Sequence, residues 1–171
     1  MLFETTLKTE RLLLETITVA DNAFILELVN TEGWLKFIGD RKIQTLEDAT
    51  AYIQKIIDNP NLYYWVVKLA DNNSPIGIIT FIKRDYLEYH DIGFAFLPNF
   101  FGKGYAHEAT LEVLKSVTKT HDLSYILATT FPGNVASIKL LTKLGLSFEK
   151  EMEVGDIKVC VYGVATDPYF N

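Results

Sequence analysis

The chain has 171 residues, 49% of them hydrophobic, a formal charge of −6 at pH 7 and a pI near 5.1. A single domain over residues 1–171 with a substantial core is expected, because a chain of this size buries about 70% of its extended surface on folding. The acidic balance leaves no basic surplus to displace phosphate counterions, which disfavours nucleic acid and anionic bilayers as partners; a cationic acceptor such as an amine is better tolerated, although solubility alone accounts for such a charge.

Met1 to Lys8 carries two charged residues and no sustained apolar stretch, and nowhere do about 18 uncharged apolar residues follow one another. No membrane span or signal peptide is expected, and the default location is the cytoplasm. Arg11 to Thr16 reads as a first strand. Thr18, with Asp21 three residues on, starts a helix reaching Asn30. Thr45-Leu46-Glu47-Asp48 is a clearer capping box, and Ala49, Tyr52, Ile53, Ile56 and Ile57 follow at helical spacing until Asn59-Pro60 stops them. Tyr63–Ala70, Ile76–Arg84 and Tyr89–Leu97 read as an antiparallel meander, with a turn at 71–75. A helix then carries Ala106, Ala109, Val113, Leu114 and Val117 as one apolar stripe. Tyr125–Phe131 is another strand. Pro132-Gly133 breaks it, a helix runs from about Asn134 to Leu144 with Gly145 as its C-terminal cap, and a hairpin (146–154 and 157–165) turns at Gly155-Asp156. Strand, two helices, three strands, helix, strand, helix and hairpin make a mixed α/β layer that does not alternate as a Rossmann domain does. Cys160 is alone, which excludes an intrachain disulfide and argues against a cysteine-based zinc site.

Between the third meander strand and its helix lies Pro98-Asn99-Phe100-Phe101-Gly102-Lys103-Gly104-Tyr105-Ala106-His107-Glu108. The first helical N–H groups lack intrahelical partners and the helix dipole is positive there, so such a junction can hold a phosphate; Gly102 and Gly104 let backbone approach it. His107 stands where the dinucleotide fingerprint GxGxxG needs its third glycine, and no GxxxxGK[ST] loop exists, which argues against a nucleoside triphosphate site. On this motif alone a tight turn and an anion site are evenly matched.

A second segment, Asn134-Val135-Ala136-Ser137 through Leu144-Gly145-Leu146, opens a helix with an amide side chain and places a hydroxyl one turn on. Together with the glycine loop it resembles the GNAT superfamily of acetyl-CoA-dependent N-acetyltransferases, whose element order also matches. Leu7-Lys8-Thr9-Glu10-Arg11-Leu12-Leu13-Leu14 and Asp91-Ile92-Gly93-Phe94-Ala95-Phe96-Leu97-Pro98 are similar to the branch of bacterial ribosomal-protein N-terminal acetyltransferases. Two positions depart: Phe101 stands where that family carries Gln or Arg, and Leu141 where some members carry a tyrosine general acid. The first removes one polar contact and no backbone amide, the second a proton donor.

The resemblance implies a mostly antiparallel sheet whose strands splay on either side of the loop helix, with acetyl-CoA as cosubstrate and no metal. Phe94, Ala95 and Phe96 would offer backbone to the thioester and pantetheine, and an N–H near Gly93 or Phe94 would face the oxyanion. Gly102, Lys103, Gly104, Tyr105, Ala106 and His107 would cradle the pyrophosphate, Asn134 and Ser137 the arm beyond; Lys103, Lys139 and Lys143 are candidates for the 3′-phosphate. Asp91 is the candidate general base, or else a strand-end aspartate paired across the sheet. Ser137 either protonates the leaving thiolate or only touches cofactor. Trp34, placed in a loop between the first helices, would wall the acceptor site, while His90 faces away from Asp91 and lacks metal-ligating company. The implied reaction is acetyl transfer by direct attack on a primary amine, foremost a protein N-terminal α-amine. A non-catalytic acyl-CoA-binding module and a small-molecule or antibiotic acetyltransferase are the alternatives.

Overall fold

The computed structural model describes residues 3–120 and 122–167. Eight strands form one sheet: β1 (Thr6–Lys8), β2 (Leu12–Thr16), β3 (Leu62–Leu69), β4 (Pro75–Ile82), β5 (Asp91–Phe96), β6 (Tyr125–Thr130), β7 (Ser147–Val154) and β8 (Ile157–Ala165), in the spatial order 1-2-3-4-5-6-8-7. All neighbours are antiparallel except β5 and β6. Parallel strands need a crossover, and here helix α4 (Tyr105–Thr120) supplies it. The mixed α/β architecture with a mostly antiparallel sheet is as the sequence indicates.

Alternation along the strands divides the apolar side chains between two cores. On one face the expected stripe of α4, with Ala109, Val113, Leu114 and Val117 buried, packs with Leu141 of α5 (Val135–Lys143) onto Leu14, Trp65, Ile79, Phe81, Ile92 and Ile126. On the other, α1 (Asn22–Val29) and α3 (Leu46–Ile57) lay Ile25, Leu28, Ile53 and Ile56 against Val66, Ile78 and Leu97. The Thr45 hydroxyl accepts from the Asp48 N–H (3.0 Å) and the Asp48 carboxylate from that of Thr45 (3.0 Å), so the capping box that starts α3 is formed.

Two elements lie outside the sequence expectation. β1 has three residues, too few for a visible alternation, and pairs along β2 from Thr6↔Glu15 to Lys8↔Leu13. A short helix, α2 (Glu32–Phe37), occupies the segment expected as a loop. Thr31 caps it through the Trp34 N–H (3.4 Å), a signal obscured by Gly33 within the turn.

At the outer edge of the sheet, β7 presents Glu149, Lys150, Glu151 and Glu153, charges that discourage a further strand from pairing there. Near the centre of the sheet the contacts around Phe81 are aromatic. Phe81 is fully buried, stacked on the His90 ring (4.7 Å, 7°) and met edge-on by Phe3 (5.4 Å). Phe81→Ala is therefore expected to cost about 3–5 kcal/mol in urea-induced unfolding, with most of the loss appearing as a lower midpoint rather than a changed slope.

Candidate active site

The pairing of β5 with β6 lasts for one residue pair, Asp91↔Leu127, where the Leu127 N–H reaches the His90 carbonyl (2.9 Å). An unbroken parallel ladder would send the next free N–H of β6, that of Thr129, to the Ile92 carbonyl. Instead it donates to Asp91 Oδ1 (3.1 Å), while Asp91 Oδ2 is ion-paired with Arg84 Nε. A side chain has replaced backbone as the acceptor, and the strands part.

Register decides which groups line the resulting opening. The Leu97 N–H bonds to the Ile76 carbonyl (2.9 Å), so residues 97, 95, 93 and 91 turn their backbone groups toward β4. Phe94 and Phe96 then turn theirs toward the slot. Of the two N–H groups expected near the reacting carbonyl, the register selects Phe94; those of Gly93 and Ala95 point into the sheet. Gly93 keeps the far wall slim, since a Cβ there would stand 2.6 Å from Thr80 Oγ1.

One continuous cleft of about 540 Å³ passes through this opening. On the α4 side it is lined by Gly102, Gly104, Tyr105, Ala106 and His107, then by Asn134 and Ser137. The first i→i−4 bond of α4 runs from the Glu108 N–H to the Gly104 carbonyl (3.0 Å), which leaves the N–H groups of Tyr105, Ala106 and His107 without intrahelical partners. Gly102 and Gly104 have φ of +73° and +80°, and an added Cβ at Gly102 would meet nothing within 4 Å. These are the features of an anion cradle: exposed amides, a positive helix end and open space. At Gly104 the only neighbour of an added Cβ would be Arg11 Nη2 at 3.4 Å, so the demand for glycine there is conformational rather than steric.

The expected polar residues divide in use. Asn134 caps α5, its Oδ1 accepting from the Ser137 N–H (3.2 Å), whereas the Ser137 hydroxyl bonds to no described residue. Lys143 lines the cleft; Lys103 and Lys139 do not. The Lys103 Nζ lies 5.6 Å over the Phe100 ring, and its carbonyl takes a hydrogen bond from Arg11 Nη1 (3.0 Å). Phe101 is 60% exposed at the cleft margin, and Leu141 is buried in the core, where it presents no proton donor.

On the other side of the sheet the cleft continues between α2, α3 and the meander. Trp34 lines it, as expected, but from α2 rather than from a loop. Opposite stand Tyr52, Tyr64, Thr80 and Arg84, with Arg41 on the segment after α2; sequence reasoning left all five out. The signal was register: Tyr64↔Thr80 and Thr80↔Gly93 are cross-strand partners and place Tyr64 on the Asp91 face. Burial, and then the Tyr52 phenol, push the Tyr64 hydroxyl well above the usual tyrosine range, keeping it a neutral donor. Burial also pushes the Asp91 carboxyl up, against the opposing pull of the Arg84 guanidinium and the Thr129 N–H. Among the described residues no group of three His, Cys, Asp or Glu is placed to hold a metal ion, and no helix is long and apolar enough to cross a membrane.

Comparison with known proteins places this architecture. The family model described as "Acetyltransferase (GNAT) domain" matches residues 11–147. The chain belongs to the GNAT acetyltransferases. It is 32% identical over 153 residues to a Bacillus subtilis protein named "Uncharacterized N-acetyltransferase YnaD", covering 90% of this chain and 86% of that one. Among solved structures, a GNAT-family acetyltransferase from Bacillus anthracis is 28% identical with a TM-score of 0.80, covering 95% of this chain and 99% of the other. A spermidine N-acetyltransferase from Vibrio cholerae, solved with CoA and spermine, shares the fold at a TM-score of 0.80 but only 18% identity, over 95% of this chain and all of its own. The protein is an acetyltransferase of the GNAT family.

The glycine loop is held from outside by a residue far upstream. Arg11 reaches Glu108 Oε2 through Nε (2.7 Å) and Nη2 (2.6 Å), lies 4.5 Å over the Tyr105 ring, and shares Glu108 Oε1 with the Thr9 hydroxyl (2.5 Å). Burial would raise the Glu108 carboxyl, but the bonds from Thr9 and Arg11 outweigh it and hold it below 4.5. A depressed carboxyl stabilises the fold above its unfolded pKa, and that contribution is lost as pH falls through the folded one. Glu108→Gln is thus expected to cost roughly 1 kcal/mol or less at pH 7, given the exposure of Arg11, and the gap from wild type should close below pH 4.5 in urea titrations at matched salt.

Proposed function

We propose that this protein transfers the acetyl group of acetyl-CoA to a primary amine by direct attack within a ternary complex, with an α-amine as the acceptor class. The observation that carries the proposal is the continuity of the cleft: the amides at the start of α4 and the carboxylate of Asp91 open into one space through the parted strands. The cradle residues Gly102, Gly104, Tyr105, Ala106 and His107 would take the pyrophosphate, with Lys103 near the entrance, and Asn134 and Ser137 would flank the pantetheine arm. Bound there, acetyl-CoA supplies an activated acetyl group. Phe94 backbone N–H would receive the charge that develops on the carbonyl oxygen, and the backbone of Ala95 and Phe96 continues the wall along the arm. Preorganised donors of this kind are worth about 3 kcal/mol elsewhere.

The amine must lose a proton as its nitrogen bonds to the acyl carbon, and the carbon–sulfur bond breaks with the electron pair leaving on sulfur. Asp91 is assigned the proton through a water and later releases it to solvent, and Ser137, whose hydroxyl bonds to no described residue, relays a proton to the thiolate while taking one from solvent water, so that it ends neutral. An α-amine, with a pKa near 8, is within reach of such a carboxylate; a lysine amine near 10.4 is a harder acceptor. The similarity of the segments 7–14 and 91–98 to the ribosomal-protein branch supports a protein N-terminus as one source of that α-amine.

Gly104→Val, which must adopt a positive φ with a β-branched side chain, is expected to weaken CoA binding at least tenfold by calorimetry. Asp91→Ala would also close the strands, so the sharper variant is Asp91→Asn, whose amide oxygen can still accept from Thr129. It should lower kcat by about 10²-fold or more with CoA affinity unchanged. Unaltered turnover in Asp91→Asn would remove the aspartate from the reaction, and CoA bound without thiol release to any amine would favour a non-catalytic binding module.

A further inference from the structure

The acceptor half of the cleft has the opposite charge balance to the chain as a whole. The protein carries −6, yet the ionised side chains lining this half are Arg41, Arg84 and Asp91, a local surplus of one positive charge. No other Asp or Glu lines the cleft among the described residues. The one carboxylate is already ion-paired: Asp91 is 3% exposed, with Oδ2 held by Arg84 Nε and Oδ1 accepting the Thr129 N–H, which leaves only the remaining lone pair of Oδ1 for a proton. The pair leaves the guanidinium unsatisfied, since Arg84 spends only its Nε on Asp91 and its Nη1 and Nη2 bond to no described residue. Its side chain keeps 34% exposure. Arg41, on the outer wall, has no ion pair with any described residue, and both guanidiniums line the same cleft as Tyr64. The surrounding groups add no negative charge: the Tyr52 and Tyr64 hydroxyls, Thr31, whose hydroxyl is given to the Leu28 carbonyl (2.8 Å), and the aromatic wall of Trp34 and Phe37.

We infer that the acceptor is a primary amine bearing a carboxylate, which the terminal nitrogens of Arg84 and the guanidinium of Arg41 bind while the amine faces the slot. A guanidinium fork matches a carboxylate in two parallel hydrogen bonds, and partial burial strengthens them. The same surroundings repel a polyamine, which would need several carboxylates and finds one that is already paired. The overall acidity of the chain suggested a tolerance for cationic acceptors; the local field reverses that suggestion. This assignment rests on the acetyl-transfer reading above and names its acceptor class. Two sources share the chemistry: a free α-amino acid, and a peptide N-terminus with Asp or Glu in its first residues.

The test is thiol release from acetyl-CoA with matched acceptors: free amino acids against their amides, peptides beginning with acidic residues against the same peptides with Asn or Gln, and spermidine. Binding of each acid–amide pair to the CoA-loaded protein is measured in parallel. Acids should exceed their amides by tenfold or more in kcat/KM, chiefly through KM. Arg41→Gln, with an unchanged melting temperature, should collapse that ratio toward one, the loss appearing as a higher KM for the acids. A preference among free amino acids and none among peptides would identify the first source, the reverse the second. Equal use of acid and amide, or preference for spermidine, would overturn the inference and leave acetyl transfer standing. Absence of thiol release with every amine, together with no acid-over-amide preference in binding, would overturn both.

Discussion

A single hydrogen bond governs how this sheet becomes a site. Asp91 Oδ1 takes the Thr129 N–H that an unbroken ladder would give to backbone, so β5 and β6 meet at one residue pair and then separate. Buried N–H groups must be satisfied, and a split sheet would ordinarily strand several of them. Here the carboxylate meets the demand at the fork, Arg84 balances its charge, and beyond that point the freed backbone of Phe94 and Phe96 borders the cleft instead of a neighbouring strand. Register and opening therefore follow from one side chain.

The cleft that results has two unlike halves. On the α4 side its lining is mainly backbone, presented by glycines at positive φ and by a helix start, which suits a ligand recognised by charge and shape. On the α1–α3 side it is side chains, aromatic and guanidinium, which suits discrimination between acceptors. Under the proposed acetyl transfer the first half would hold the donor and the second the acceptor: the backbone half depends on φ angles, and the side-chain half can change residue by residue.

Most of this was legible in the chain itself. The capping box of α3, the stripe of α4 and the alternation of the meander strands each obey a local rule, and the elements they marked are present. The glycine loop announced itself because φ > 0 restricts residue choice. What stayed hidden required partners distant in sequence. Arg84 reads as the polar end of a strand until Asp91 is seen beside it, and Tyr64 reads as core until register aligns it with Thr80 and Gly93. Trp34 was singled out, yet the six-residue helix that carries it was concealed by Gly33, since a short helix held by tertiary contacts needs little intrinsic propensity.

The grip of Arg11 on Glu108 ties the first hairpin to the mouth of α4 across 97 positions of sequence. Glu108 sits on the first turn of the helix that forms the anion cradle, where an uncompensated carboxylate would repel any phosphate. Severing the chain just after Arg11 would discard that counter-charge while leaving the buried residues from Leu12 onward in place. Such a clipped molecule would also lose β1 and the Phe3 and Leu7 side chains that fill the α4-side core, so it would meet anionic ligands with a repulsive doorway and melt earlier as well: the amino-terminal segment couples loading to stability.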